Sequence, residues 1–150
     1  MRHIIFIFIL LITACNYQEP GNATIKQQIL DVTTEYNNVW STLNVEKIAE
    51  YHSDENFLYY WHGDLASKNN DQFRELFPEI LATLKEWSIK KTSEPVVQII
   101  NKNAAIISFT LEAESILLDG KKLIDKGALT YVWNRINGKW KIIHIHDSPK

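Results

Sequence analysis

The chain has 150 residues, 16 basic against 18 acidic side chains, a formal net charge of −2 and one cysteine. That length suits a single domain with its own hydrophobic core. The slightly acidic balance speaks against a nucleic-acid partner, which would need a basic patch, and a single thiol leaves no pair for an internal disulfide.

The chain opens on Arg2, then nine apolar residues from Ile4 to Ile12, then the small residues Thr13 and Ala14 before Cys15. Nine apolar residues are too few to cross hydrocarbon, which takes about 20 helical residues, so the pattern reads as a secretory signal that is cut away. Ile12-Thr13-Ala14-Cys15 resembles the lipobox of bacterial lipoproteins, and the resemblance implies lipidation of the Cys15 sulfur and cleavage before it, with residues 1–14 as the signal. A single acyl chain holds a protein only reversibly, whereas the several chains of a processed lipoprotein anchor it stably. The expected location is the cell envelope, attached to the membrane through lipid on Cys15; in a Gram-negative cell Asn16, not being aspartate, directs it to the outer membrane. Processing removes Arg2 and leaves 15 basic against 18 acidic side chains, a net charge of −3. Residues 15–23, rich in Asn, Gln, Glu, Pro and Gly, read as a tether, and residues 24–150 as the domain.

Ile25, Ile29, Val32, Tyr36, Val39, Trp40 and Leu43 recur at three- and four-residue steps and predict an amphipathic helix from about Thr24 to Leu43. Asn44 is placed to cap a short helix, Val45 to Tyr51. Asn56 to His62 reads as an extended, aromatic segment ended by Gly63-Asp64. Phe73, Leu76, Phe77, Ile80, Leu81, Leu84 and Trp87 predict a further helix starting at Asn70 or Asp71, with Pro78 kinking it. From Ser88 onward the period becomes two, with strands near Ile89–Ile100, Ala104–Leu118, Leu123–Ile136 and Lys139–Asp147. Helices first and an antiparallel meander last is an α+β organisation.

Asn137-Gly138 is the sharpest local signal, because a type I′ hairpin turn needs positive φ at both central residues. A two-residue turn sets Ile136 opposite Lys139, Arg135 opposite Trp140, Trp133 opposite Ile142, Tyr131 opposite His144 and Leu129 opposite His146, all on one face. Both faces of this hairpin carry large apolar groups, so both are expected to be covered, one by the helices around a pocket and the other by a subunit or a loop.

The closing run Tyr131-Val132-Trp133-Asn134-Arg135-Ile136-Asn137-Gly138-Lys139-Trp140-Lys141-Ile142-Ile143-His144-Ile145-His146-Asp147-Ser148 resembles the last hairpin of the nuclear-transport-factor-2-like superfamily. It is most similar to SnoaL-like proteins and to the association domain of calcium/calmodulin-dependent kinase II. The resemblance spans Thr24 to Ser148 and implies a cone-shaped fold, a curved antiparallel sheet wrapped around N-terminal helices, with an apolar cavity between them. It further implies that Tyr131 and Asp147 stand where the kinase domains carry pocket arginines. A carboxylate ligand is then disfavoured, and an uncharged or cationic one is easier to accommodate.

His144 and His146, two residues apart on one strand, have a spacing that metal ligands use. No third ligand lies at a motif spacing from them, so they read as packed, hydrogen-bonded residues, with no metal and no cofactor expected. A carboxylate in an apolar cone gains basicity and a buried phenol can hold an enolate oxygen. Asp147 or His144 as base, with Tyr131 or Tyr60 as donor, is therefore the candidate catalytic set of a cofactor-free isomerase or dehydratase. The leading expectation is instead a non-catalytic pocket for a small, apolar or aromatic molecule in a homodimer. Its expected ligand-binding residues are Tyr60, Trp61, Tyr131, Trp133, His144 and His146. An oligomerisation module, paired through the outer sheet face, is the remaining alternative.

Overall fold

The computed structural model describes residues 21–150. The signal segment, Cys15 and most of the tether lie outside them. Three helices precede and interrupt a sheet: α1 (Asn22–Trp40), α2 (Val45–Ala49), β1 (Leu58–Trp61), β2 (Asp64–Ser67), α3 (Asn70–Leu81), β3 (Leu84–Lys91), β4 (Val96–Asn101), β5 (Ala104–Leu117), β6 (Lys122–Ile136) and β7 (Lys139–Pro149). The α+β class and the curved sheet packed on N-terminal helices agree with the sequence reading.

The strands run in the order β2-β1-β7-β6-β5-β3, with β4 also paired to β5. All neighbours are antiparallel except β1 and β7, which run parallel. The long strands β5 and β6 pair from Ala104 with Asn134 to Ile116 with Lys122. β3 and β4 share one edge of β5, β4 against Ala104–Ser108 and β3 against Leu111–Leu117. That edge therefore turns a corner, and the sheet curves around the helices.

Burial on α1 falls on Ile25, Ile29, Thr33, Tyr36, Asn37 and Trp40, a stripe at helical spacing that faces the sheet. It is rotated slightly from the expected one: Thr33 and Asn37 are buried, while Val32, Val39 and Leu43 are only partly so. The helix also ends at Trp40 and begins at Asn22, so it takes in the last two residues of the expected tether. Asn44 caps α2 by accepting from the Lys47 backbone N–H at 3.1 Å. α3 is capped by Asn69, which accepts from Gln72 N–H at 2.8 Å, which leaves the Asn70 side chain free for another role.

Three expectations are corrected. Leu84 and Trp87 belong to β3 and not to the helix before it, which stops at Leu81. The span expected as one strand, Ile89–Ile100, is divided between β3 and β4. β2 was unexpected; it pairs with β1 through Tyr60 with Leu65 and Trp61 with Asp64.

The closing hairpin turns as expected at Asn137 and Gly138, with φ of 50° and 79°. From the turn back to Trp133 and Ile142 the pairing is the expected one, but there a β-bulge intervenes. Beyond it Val132 pairs with His144, Tyr131 with Ile145, Thr130 with His146 and Leu129 with Asp147. Ile143 is the extra residue, and a one-residue slip moves every later side chain to the other face. Ile142 and Ile145, three residues apart, are accordingly both buried, at 0% and 2% exposure.

The core is aromatic. Tyr36 meets Tyr131, Trp133 and Trp40 edge to face at centroid distances of 5.4, 6.1 and 6.2 Å, an arrangement that suits ring quadrupoles. Gly127 lets β6 and β7 close at their far end, where a Cβ would lie 2.4 Å from the Ser148 carbonyl oxygen.

Candidate functional site

A cavity of about 260 Å³ lies between the concave sheet face and the helices α1 and α3. Alternation along each strand decides which residues reach it. From β6 these include Leu123, Asp125, Leu129 and Tyr131, with Lys126 and Gly127 also touching it; from β5 Leu111, Ala113, Ser115 and Leu117; from β3 Leu84, Trp87 and Ile89. β1 contributes Tyr59 and Trp61, and β7 contributes Ile145 and Asp147. Tyr36 and Trp40 from α1 and Phe77, Ile80 and Leu81 from α3 complete the wall.

The floor is held by buried hydrogen bonds. The Tyr131 hydroxyl donates to Asn37 Oδ1 at 3.0 Å. The Tyr36 hydroxyl lies 2.9 Å from His52 Nε2, and His52 Nδ1 lies 3.1 Å from Asn70 Oδ1. Asn70 donates from Nδ2 to the Ala49 carbonyl and to Asp54 Oδ1, so its Oδ1 must accept. His52 therefore carries its proton on Nδ1, and Tyr36 donates to Nε2. The imidazole is stacked on Phe57 at 3.9 Å and has Phe73 edge-on at 4.5 Å. Burial lowers its pKa to about 3, with the Asn70 contact opposing the fall and the Arg74 and Lys141 charges adding to it. Burial also raises the phenols of Tyr36, Tyr59 and Tyr131 above their ordinary value. All three stay protonated, as hydrogen-bond donors and not bases.

The polar groups of the lining include Asp147, Asp125, His62 and Tyr59, with Thr83, Ser115 and Lys126. Asp147 Oδ2 lies 3.9 Å from His62 Nε2. Burial raises the Asp147 carboxyl above the ordinary carboxylate range; His62 counters this and Asp125 reinforces it. His62 sits in the β1–β2 turn with φ of 54°, followed by Gly63 at 90°. Tyr59 is 7% exposed, and its hydroxyl makes no hydrogen bond with any described residue. The arrangement offers a weakly hydrated carboxylate, a phenol with a free proton and an apolar chamber, which suits either binding or proton transfer.

Of the residues singled out from the sequence, Trp61, Tyr131 and Asp147 line this cavity. Tyr60, His144 and His146 do not: the bulge turns the histidines outward, and alternation sends Tyr60 with them. On the outer face Tyr60 lies 5.6 Å from His144 and 5.9 Å from His146, ring to ring. Burial and the His146 charge lower the His144 pKa. Among the described residues no three His, Cys, Asp or Glu side chains gather as metal ligands. Trp133 is fully buried and packs beneath Tyr36 and Tyr131, outside the cavity. The one proton of the Tyr131 hydroxyl is committed to Asn37, whereas that of Tyr59 is uncommitted among the described residues. Asp125 escaped notice, although counting back in twos from Tyr131 puts it on the cavity face. On the opposite sheet face Glu112 pairs with Lys126 at 2.7 Å and Glu114 with Lys122 at 2.6 Å.

Solved structures with the same fold include a nuclear transport factor 2 (NTF2-like) superfamily protein from Salmonella enterica, at 19% identity and a TM-score of 0.77, covering 86% of this chain and 93% of that one. The association domain of C. elegans CaMKII matches at 19% identity and a TM-score of 0.66, covering 84% and 96%. A hexachlorocyclohexane dehydrochlorinase, LinA type 2, matches at 12% identity and a TM-score of 0.69, covering 85% and 90%. At these identities the likeness establishes the fold alone. No curated protein sequence matches the chain. The family profile described as the calcium/calmodulin dependent protein kinase II association domain matches residues 25–150, and with that span of the chain inside it, the protein belongs to this family.

Proposed function

We propose that the protein is a cell-envelope domain, anchored by lipid on Cys15, that binds a small and partly apolar molecule in its cavity without turning it over. The observation that carries this reading is the chamber itself: aromatic walls, few polar groups at its mouth, and phenols at its floor whose protons are already engaged by Asn37 and His52. Such chambers, mostly apolar with a few placed polar groups, are the usual form of a small-molecule site. The test is native mass spectrometry of the full chain extracted in mild detergent from its own envelopes. A bound small molecule is expected, and it should be lost from Ala113→Trp, which fills the cavity from β5. No bound molecule, and no rise in thermal stability with an extract of envelope small molecules, would count against the reading. Cys15→Ala should move the chain from the membrane to the soluble fraction.

A second reading, an acid/base enzyme of the isomerase or dehydratase kind, draws support from the raised Asp147 carboxyl inside the cavity. Asp147 would take a proton from carbon beside a carbonyl, and Tyr59 would hold the oxygen. Exchange of the α-protons of cyclohexenone in D2O, lost in Asp147→Asn, is its signature. The family's description and the outer face, where Leu58, Tyr60, Val132, His144 and His146 lie together, support self-association as a homodimer. Val132→Lys with His146→Asp should then yield a monomer in sedimentation.

A further inference from the structure

Charge is distributed unevenly around the cavity. Two carboxylates, Asp125 on β6 and Asp147 on β7, belong to its lining, and neither has a Lys or Arg partner within ion-pair distance among the described residues. Lys126 touches the cavity, but its ammonium is held by Glu112 at 2.7 Å on the opposite sheet face. Arg74 is bound to the acidic residues Glu46, Asp54 and Asp71 on the helix side, and Arg135 to Gln28. Neither lines the chamber. Within the lining, His62 stands 3.9 Å from Asp147 and is 45% exposed in its side chain, and His146 on the outer face also acts on this carboxyl. Asp125 is exposed, whereas the Asp147 side chain is 20% exposed and partly desolvated, and a ligand that brings a cation relieves that cost at Asp147 while Asp125 adds to the negative field.

Tyr59 supplies an independent sign of a missing occupant. It is 93% buried, from an exposure of 7%, lines the cavity, and its hydroxyl has no partner among the described residues, whereas Tyr36 and Tyr131 are both satisfied. The ring is buried while the hydroxyl is left unpaired at the cavity surface, where a polar group on a ligand can meet it. Around it the walls are indole and phenyl faces. Trp61 lies 6.1 Å from Phe77, and Trp40 5.2 Å from Trp87. Aromatic faces attract organic cations, and more so out of water.

Resting on the reading of this cavity as a ligand site, we propose that its ligand class is the organic cation: a protonated amine or quaternary ammonium on a small apolar body. The charge sits at the mouth beside Asp147 and Asp125, and the body lies against Trp61 and Trp87 with Tyr59 within reach. A metal ion is a poorer occupant, because no three ligating side chains converge among the described residues. An anion is disfavoured by both carboxylates.

The test compares three benzyl probes on the full chain, followed by tryptophan fluorescence and calorimetry: benzyltrimethylammonium, its uncharged carbon isostere neopentylbenzene, and an anion of similar size, 3-phenylpropionate. The cation should bind about tenfold tighter than the neutral isostere, and the anion weakest. Asp147→Asn with Asp125→Asn, close to isosteric, should bring the cation and the isostere within about twofold of each other while leaving the isostere's own affinity in place. Equal or tighter binding of the neutral isostere to the unaltered chain overturns the cationic class and leaves the cavity reading standing. An unchanged cation preference in the double variant overturns the role of the carboxylates. Binding by none of the three, at their solubility limits, removes the cavity reading and this proposal with it.

Discussion

The buried imidazole of His52 makes a prediction about acid stability. Its pKa is lowered to about 3 by burial, against about 6.5 for an unconstrained histidine. Between these values the unfolded chain binds a proton that the folded chain refuses. Folding stability therefore rises with pH across this window; the contribution is full above pH 6.5 and is lost progressively as pH falls toward 3. The limiting slope is about 1.4 kcal/mol per pH unit, and the loss between pH 6.5 and pH 5 is about 1.5 kcal/mol. Other groups titrate in the same range. Glu112, held low by the Lys126 hydrogen bond, and His144, held low by burial, act in the same direction, while Asp147, raised by burial, acts in the opposite one. The measurement is thus a difference: urea unfolding of the unaltered chain and of His52→Gln at a series of pH values, each curve giving stability against pH. The variant should be less stable at neutral pH, because Tyr36 and Asn70 each lose a partner, and its curve should be flatter by about one proton. Should the variant not fold, imidazole resonances of the unaltered chain answer the same question, and should show His52 neutral with its proton on Nδ1 down to about pH 4. Parallel stability curves for the two chains, or a His52 titration midpoint near 6, would refute the reasoning.

Gly127→Ala should lower stability by about 1–3 kcal/mol in urea unfolding, since its Cβ would lie 2.4 Å from the Ser148 carbonyl oxygen and that neighbour is backbone. Tyr131→Phe leaves Asn37 Oδ1 without its donor and should cost about 1–3 kcal/mol, whereas Tyr60→Phe on the outer face should stay within about 0.5 kcal/mol; the pair of melts separates floor from surface. Trp133→Ala, at a fully buried site, should cost about 3–5 kcal/mol, measured by chemical unfolding.

What was legible in the chain is what local chemistry decides. Asn137-Gly138 demands positive φ and marks the hairpin; Asn44 marks the start of α2; the stripe from Ile25 to Trp40 marks α1. Where tertiary pairing decides, the sequence pattern misled. Leu84 and Trp87 continue the three-and-four spacing of Phe77 and Leu81, yet they lie in β3 because the edge of β5 is there to receive them, Leu84 with Leu117 and Trp87 with Ser115. β2, four residues with only Leu65 and Ala66 apolar, carries no strand signal of its own and forms along β1, with which it pairs. Asn70 begins α3 as expected, but its side chain also joins the buried polar chain of His52, a contact across 18 positions that no local pattern announces.

The bulge at Ile143 is the step on which the site turns, and its energetics were within reach of the sequence. A ladder without it would carry Ile142, His144 and His146 on the cavity face and turn Ile145 and Asp147 out. Two imidazoles facing an apolar chamber without fixed partners cost about 1–3 kcal/mol each, and exposing an isoleucine forfeits about 2 kcal/mol more. Against this stands one interrupted position in the ladder, worth about 1 kcal/mol of hydrogen bonding. The slip wins, and Ile142 and Ile145 both reach the interior despite their odd spacing. Two apolar residues that must share a face three positions apart on one strand are thus themselves evidence of an inserted residue between them. The same slip that rescues Ile145 brings the Asp147 carboxylate around to join Asp125 and Tyr59 at the cavity mouth, so the polarity of the site is a consequence of how the hydrophobic core closes.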